Sequence, residues 1–234
     1  MDELNLEVKQ VIQRTHNVKS IRLGLEETEG FKPGQFLQAT IQTQQGPMRR
    51  YLSISNSPTE QDYIEFTKKI TQSVFSKSLD KLNPQDTVAI KYPFGVFTFE
   101  GEHKKVVFLP GGIGITPIRS MVKYAVDKKL DTDMVLIRAN RSIKDIAFKH
   151  DFEAMAKEHP KLRIVDVLSQ PEQEWQGRTG YINAEIIKQE VPDFTQRKFY
   201  VCGPPVMVEA MIKILLEQLG LSKQNVLFEN FKGY

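Results

Sequence analysis

The sequence predicts two dissimilar domains, a six-stranded antiparallel β-barrel over residues 1–100 and a doubly wound α/β domain with a parallel sheet over residues 101–234. Three observations predict this. A chain of 234 residues suits two domains of roughly 100–150 residues each. Short stretches of period-two alternation, separated by turn residues, fill the first part. A rhythm of strand, loop and helix fills the rest.

The barrel elements come in order. Leu4 to Val8 alternates, and Ile21 to Leu25 alternates again after a break at His16-Asn17. Further strands are expected over Phe36 to Ile41, Tyr51 to Ser55, Tyr63 to Ile70 and Val88 to Tyr92. Lys32-Pro33-Gly34, Gln45-Gly46-Pro47, Asn56-Ser57-Pro58 and Asn83-Pro84-Gln85-Asp86 supply the turns. One short helix is expected over Val74 to Leu82. The junction falls at Glu100-Gly101-Glu102-His103. Beyond it, strands are expected at Val106 to Leu109, Met134 to Ala139, Leu162 to Leu168, Phe199 to Cys202 and Val226 to Phe228. Helices at Pro117 to Lys128, Ala147 to Glu158, Asn183 to Gln189 and Val206 to Leu219 separate them.

Composition narrows the function classes. Hydrophobic residues make up 40% and charged residues 26%, an ordinary globular balance. No apolar run approaches the ~20 residues that span a bilayer. The acidic start, Met1-Asp2-Glu3, does not read as a signal peptide. The single cysteine, Cys202, excludes an intramolecular disulfide and a cysteine-ligated cluster, and no metal site is predicted. Together these point to a cytoplasmic setting. The net charge is only +3, with the cations scattered, which argues against nucleic acid. It suits an acidic protein partner and an ordinary solvated surface alike.

Two runs carry chemistry. Pro110-Gly111-Gly112-Ile113-Gly114-Ile115-Thr116-Pro117 follows an apolar strand and opens a helix. Glycine lets backbone approach a ligand closely, and free amides at a helix start favour an anion. Pro117 fits a first helical turn, where no amide hydrogen is needed. The second run is Arg50-Tyr51-Leu52-Ser53-Ile54-Ser55-Asn56-Ser57-Pro58. Its arginine is suited to clamping a phosphate, and its serine hydroxyl to donating to a ring nitrogen. Read alone, it is a strand ending in a turn. Cys202 alone reads as a small buried hydrophobe, and Phe231 alone as core packing.

Taken together the motifs resemble the ferredoxin–NADP reductase family from end to end. The resemblance rests on Phe31-Lys32-Pro33-Gly34-Gln35, Arg50 to Pro58, Pro93-Phe94-Gly95-Val96-Phe97, Gly111 to Pro117, Tyr200 to Pro205 and Phe228-Glu229-Asn230-Phe231, in that order. It implies an FAD-binding barrel, an NAD(P)-binding second domain, and hydride transfer from NADPH or NADH to the flavin. It implies that Arg50, Tyr51, Leu52, Thr67, Lys69, Ser73, Val74 and Ser76 contact the flavin or its pyrophosphate. Ser53 would lie near flavin N5. Gly112, Gly114, Thr116 and Pro117 would hold the nucleotide pyrophosphate, and Cys202, Gly203 and Pro204 its nicotinamide. Ser53, Cys202 and Glu229 would serve the transfer, and Phe231 or Tyr234 would cover the flavin. The two rings would meet at the seam between the domains.

Two departures leave alternatives open. Leu52 stands where the family usually has tyrosine; Arg49-Arg50-Tyr51 offers a second register, so either arginine is available for phosphate. Thr71-Gln72-Ser73 stands where glycine is usual, which leaves FMN open beside FAD. Arg141 and Ser142 follow the second parallel strand, where adenosine ribose belongs. No acidic residue stands at that strand end, which favours NADPH over NADH. With no cysteines for a cluster, electrons must go singly to a separate acceptor: a ferredoxin, a flavodoxin or an oxygenase component. The alternatives are an electron-transfer or regulatory subunit active only within a larger complex, and a module that keeps nucleotide but has lost flavin.

Overall fold

The computed structural model describes residues 3–25 and 30–231. It divides into two compact units, residues 1–100 with 116–127, and residues 101–115 with 128–234.

The first unit holds β1 Leu4–Thr15, β2 Val18–Gly24, β3 Phe36–Thr43, β4 Gly46–Ser53, β5 Tyr63–Lys69 and β6 Thr87–Phe94. They pair antiparallel in the order β4-β3-β6-β1-β2-β5. The sheet closes where the chain leaving β4 meets β5. Ile54 pairs with Phe66, and the Ser55 amide donates to Glu65 O at 2.8 Å. Leu37, Leu52, Ile54, Phe66 and Ile90 fill the barrel, and helix α1, Val74–Asp80, adds Phe75 and Leu79. Helix α2, Ile115–Asp127, also packs in this unit over most of its length.

β1 runs seven residues past the expected Val8. Its register shifts between Val8 and Gln10 and between Gln13 and Thr15. Each bulge breaks the alternation that marks a strand in sequence, and bends the strand so that its start pairs β6 and its remainder β2. β4 begins at Gly46 rather than Tyr51, taking in Pro47, which an edge strand tolerates.

The second unit holds β7 Lys105–Pro110, β8 Asp133–Asn140, β9 Leu162–Leu168, β10 Arg178–Thr179, β11 Lys198–Gly203 and β12 Val226–Asn230. All pairs are parallel, in the order β10-β9-β8-β7-β11-β12. Helices α3 Lys149–Glu158, α4 Ala184–Glu190 and α5 Pro205–Lys213 complete it; a π-helical turn over Ile214–Gln218 continues α5. The barrel followed by a parallel sheet is the predicted fold class. β10 has two residues, too few to leave a pattern. The chain steps outward from β7 through β8 and β9, then returns to β11 on the other side of β7. That reversal opens a crevice at the strand ends, where such sheets bind ligands.

Among the described residues, no helix is long and apolar enough to cross a membrane. No group of three or more His, Cys, Asp or Glu among them is placed to hold a metal ion.

Candidate functional site

The reversal point between β7 and β11 is built from backbone. β7 ends at Pro110, and the Gly111 amide donates to Cys202 O at 2.9 Å. A single 3-10 turn, Gly112–Gly114, then leads into α2. A Cβ on Gly114 would sit 2.2 Å from Cys202 O, and one on Gly203 3.0 Å from Gly111 O. Both glycines are therefore needed for the two strand-end loops to touch. Gly112 differs: it is exposed, has φ +52, and a Cβ there would meet nothing within 4 Å. Of the predicted phosphate loop, Gly112 is the residue facing open space, whereas Thr116 and Pro117 are buried in the first turn of α2.

The other predicted residues of this unit gather at the same place. Cys202 is fully buried, opposite Pro110 in β7 and Glu229 in β12. Pro204, exposed, precedes the first turn of α5. The Phe231 amide donates to Gly203 O at 3.0 Å. Burial, with the Glu229 carboxylate beside it, pushes the Cys202 thiol well above its usual range. Burial thus favours the neutral thiol at Cys202 over the thiolate. Burial pushes the Glu229 carboxyl up to about 7. Glu229 Oε2 and Asn230 Oδ1 are buried without a hydrogen-bond partner. Two orphan oxygens at a crevice fit an amide donor from a ligand. Asn230 was not predicted; β12 extends two residues past the expected Phe228 and carries both side chains in. Tyr234 lies outside the described residues.

Arg141 and Ser142 follow β8, as expected. Arg141 Nε donates to Gln170 Oε1 at 2.6 Å, and the Ser142 hydroxyl to Asp145 Oδ2 at 2.7 Å. Glu172 Oε2 lies 3.5 Å from the Ile143 amide. Two carboxylates therefore stand near this strand end after all, one from the next turn and one from the segment after β9. Neither adjoins β8 in sequence, which is why the strand end read as free of acid.

In the first unit, Ser53 ends β4 and is buried. The nearby hydroxyls are engaged: Ser55 donates to Glu65 Oε1 at 2.8 Å, Ser57 and Thr59 pair at 2.6 Å, and Thr67 pairs with Ser20 at 2.6 Å. Among the described residues, no hydrogen bond engages the Ser53 side chain. Arg119 of α2 donates to Ser55 O at 3.0 Å and to Glu60 Oε2 at 2.6 Å, and Ser120 to Asn56 O at 2.7 Å. The segment after Ser53 is therefore fixed on its far side.

Alternation along β4 separates the candidates. Arg50 and Leu52 share one face, Arg49 and Tyr51 the other. Leu52 is packed in the barrel core, and the Arg50 guanidinium lies 5.6 Å from the Phe75 ring of α1. Lys68 of β5, 4% exposed, has its pKa lowered by burial and by Arg50. Two neighbouring cations, one of them buried, suit an anion between them. Thr67 and Lys69 lie on the opposite face of β5 from Lys68, and Lys69 is exposed. Lys68 was not predicted; the paired lysines in Thr67-Lys68-Lys69 held the signal, and only the strand's register chooses between them. At the start of α1, Thr71 Oγ1 lies 3.1 Å from Ser76 Oγ and 3.2 Å from Ser73 Oγ. Three hydroxyls thus stand where glycines would have bared the backbone. Val74 is half-buried beside them.

Comparison with known proteins identifies both domains. Residues 4–99 match the model of the oxidoreductase FAD-binding domain, and residues 108–213 that of the oxidoreductase NAD-binding domain. NADH-cytochrome b5 reductase 1 of Aspergillus fumigatus is 31% identical over 230 residues, covering 92% of this chain and 74% of that protein. The glycine betaine monooxygenase reductase subunit of Pseudomonas aeruginosa is 33% identical over 195 residues, 81% of this chain and 53% of that one. The chain thus spans about half the length of that relative. A ferredoxin NADP+ reductase of Neisseria gonorrhoeae, solved with bound FAD and NADP, superposes with a TM-score of 0.84 at 20% identity. That superposition covers 98% of this chain and 99% of that one, a likeness of fold.

Proposed function

Because the chain belongs to the ferredoxin–NADP reductase family of flavoprotein oxidoreductases, we propose that it oxidises a reduced nicotinamide nucleotide and passes the electrons singly to a separate acceptor protein. A ferredoxin, a flavodoxin or an oxygenase component has the required chemistry. The carrying observation is the glycine-built crevice between β7 and β11, with the orphan oxygens of Glu229 and Asn230 beside it.

Bound FAD would supply the chemistry, accepting a hydride and releasing electrons one at a time. The chain's own residues bind and align. Arg50 and Lys68 supply charge for the flavin pyrophosphate, and Thr71, Ser73 and Ser76 supply hydroxyl donors in place of glycine amides. Ser53, its hydroxyl uncommitted, is the donor for the reacting end of the flavin. Gly112 admits the nucleotide phosphates. Cys202 provides a small neutral wall, and Glu229 and Asn230 accept from the nicotinamide carboxamide. NADH is the favoured donor, because Asp145 and Glu172 set negative charge near the place a 2′-phosphate would occupy. A single buried cysteine is at home in a reducing compartment such as the cytoplasm.

The test is an anaerobic absorbance titration of the FAD-loaded protein with NADH and, separately, NADPH. NADH should bleach the flavin band at a lower concentration than NADPH. A band that neither nucleotide bleaches would overturn the reading. A second reading, an electron-transfer subunit active only within a complex, is favoured by the Pseudomonas relative being a reductase subunit. It predicts bleaching without turnover on small artificial acceptors.

A further inference from the structure

We propose that Arg119 is a positioning residue for the hydride transfer: from α2 it fixes the bend that follows β4, and with it the hydroxyl of Ser53. The proposal rests on the reductase reading above and deepens its assignment of Ser53.

All the groups concerned lie in the first unit. Ser53 is the last residue of β4, and the chain bends at Asn56. β5 holds one side of that bend. The Ser55 amide donates to Glu65 O at 2.8 Å, the Ser55 hydroxyl to Glu65 Oε1 at 2.8 Å, and the Glu65 amide to Asn56 Oδ1 at 2.7 Å. α2 holds the other side. Arg119 Nη1 donates to Ser55 O at 3.0 Å and to Glu60 Oε2 at 2.6 Å, and Nη2 donates to Glu60 Oε1 at 3.1 Å. Ser120, next on the helix, donates to Asn56 O at 2.7 Å. Glu60 also accepts from the Ser57 amide at 2.7 Å and from the Tyr63 hydroxyl at 3.0 Å. Burial alone would raise the Glu60 carboxyl, but these bonds hold it below its usual value, so it is ionised at neutral pH.

Arg119 is 4% exposed. A buried ion pair is a poor stabiliser, and apolar side chains of like volume would pack α2 as firmly. What this pair adds is direction. The planar fork of arginine engages a carboxylate and a carbonyl at once, and so fixes where Ser55 O points relative to Glu60. Two residues back, the Ser53 side chain is buried with its hydroxyl uncommitted. Its aim is therefore set by the backbone on either side: the pairing with Phe36 of β3 before it, and the Arg119 clamp after it. A displacement of about 1 Å at a reacting centre can cost about a hundred-fold in rate.

The experiment reduces the FAD-loaded protein with NADH under anaerobic stopped flow, which reads the limiting rate and the apparent Kd separately. Arg119→Met should lower the limiting rate about ten-fold, leave the apparent Kd within about two-fold, and keep the flavin bound. Arg119→Lys, which keeps the charge but not the fork, should recover part of that loss. Ser53→Ala is the deciding background: there Arg119→Met should cost under about two-fold more, because the hydroxyl it aims is gone. A merely structural role would cost the same in both backgrounds. Should Arg119→Met misfold, Glu60→Gln carries the same cycle with a loss of about three-fold. A limiting rate equal to the wild type in Arg119→Met, or its full ten-fold loss repeated in the Ser53→Ala background, overturns the positioning role while the reductase reading stands. A wild type whose flavin NADH does not bleach removes both.

Discussion

The two regions suited to hold anions are made of opposite materials. Between β7 and β11, backbone touches backbone across Gly111, Gly114 and Gly203. Beside α1, side chains do the work: Arg50 from β4, Lys68 from β5, and the hydroxyls of Thr71, Ser73 and Ser76. A site of bare backbone tolerates no added atom, but its charge is built into the peptide. A site of side chains tolerates small changes of shape, but each lost charge is a large fraction of its hold.

Four substitutions test that contrast, beginning with the largest effect. Gly114→Val drives a side chain into the Cys202 carbonyl and should cost at least about 3 kcal/mol in urea unfolding. An unchanged midpoint would mean the loops are not in contact. Any loss of nucleotide binding in that variant would therefore reflect collapse of the strand ends. Gly112→Ala is the cleaner probe: its φ of +52 costs about 1 kcal/mol, and nucleotide affinity should suffer more than stability. Arg50→Met should weaken FAD binding about ten- to a hundred-fold, the worth of a charged hydrogen bond, whereas Arg49→Met should change it under about two-fold. The reverse ranking, read by flavin fluorescence, would restore the other register.

Glu229→Gln separates charge from shape. Burial raises the Glu229 carboxyl from 4.5 to about 7, so the folded state favours the protonated form. Its contribution is fully present below pH 4.5 and fades as the pH climbs through 7. The glutamine variant should therefore match the wild type near pH 4.5 and exceed its stability above pH 7, which denaturant titrations at the two pH values will show. Glu172→Lys, on an exposed side chain, should shift the NADH-to-NADPH preference only a few-fold toward NADPH.

The same contrast explains what was legible in the sequence. The crevice between β7 and β11 was written as glycines in one run after an apolar strand, and the parallel sheet followed from its rhythm. In the flavin-side cluster Arg50, Ser73 and Ser76 were named through the family resemblance, but Lys68 was not, because only the register of β4 and β5 brings the two cations together. Asp145, Glu172 and Asn230 were missed for a related reason: each reaches its place through a turn or a strand longer than its apolar core. The bulges of β1 hid half a strand by breaking its period.

The closure of the barrel has a consequence for how the protein wears out. Every neighbouring pair in the sheet shares a ladder, but β4 and β5 share one backbone pair, Ile54–Phe66, reinforced by the Ser55 bonds to Glu65 and Thr67. Such a seam opens before the ladders do, so the Ser55 amide proton, bonded across it to Glu65 O, should exchange with deuterium ahead of those in the β1–β2 hairpin. Ser53 sits at the lip of that seam. On gentle warming, the proposed flavin binding should accordingly weaken while circular dichroism still reports an intact barrel.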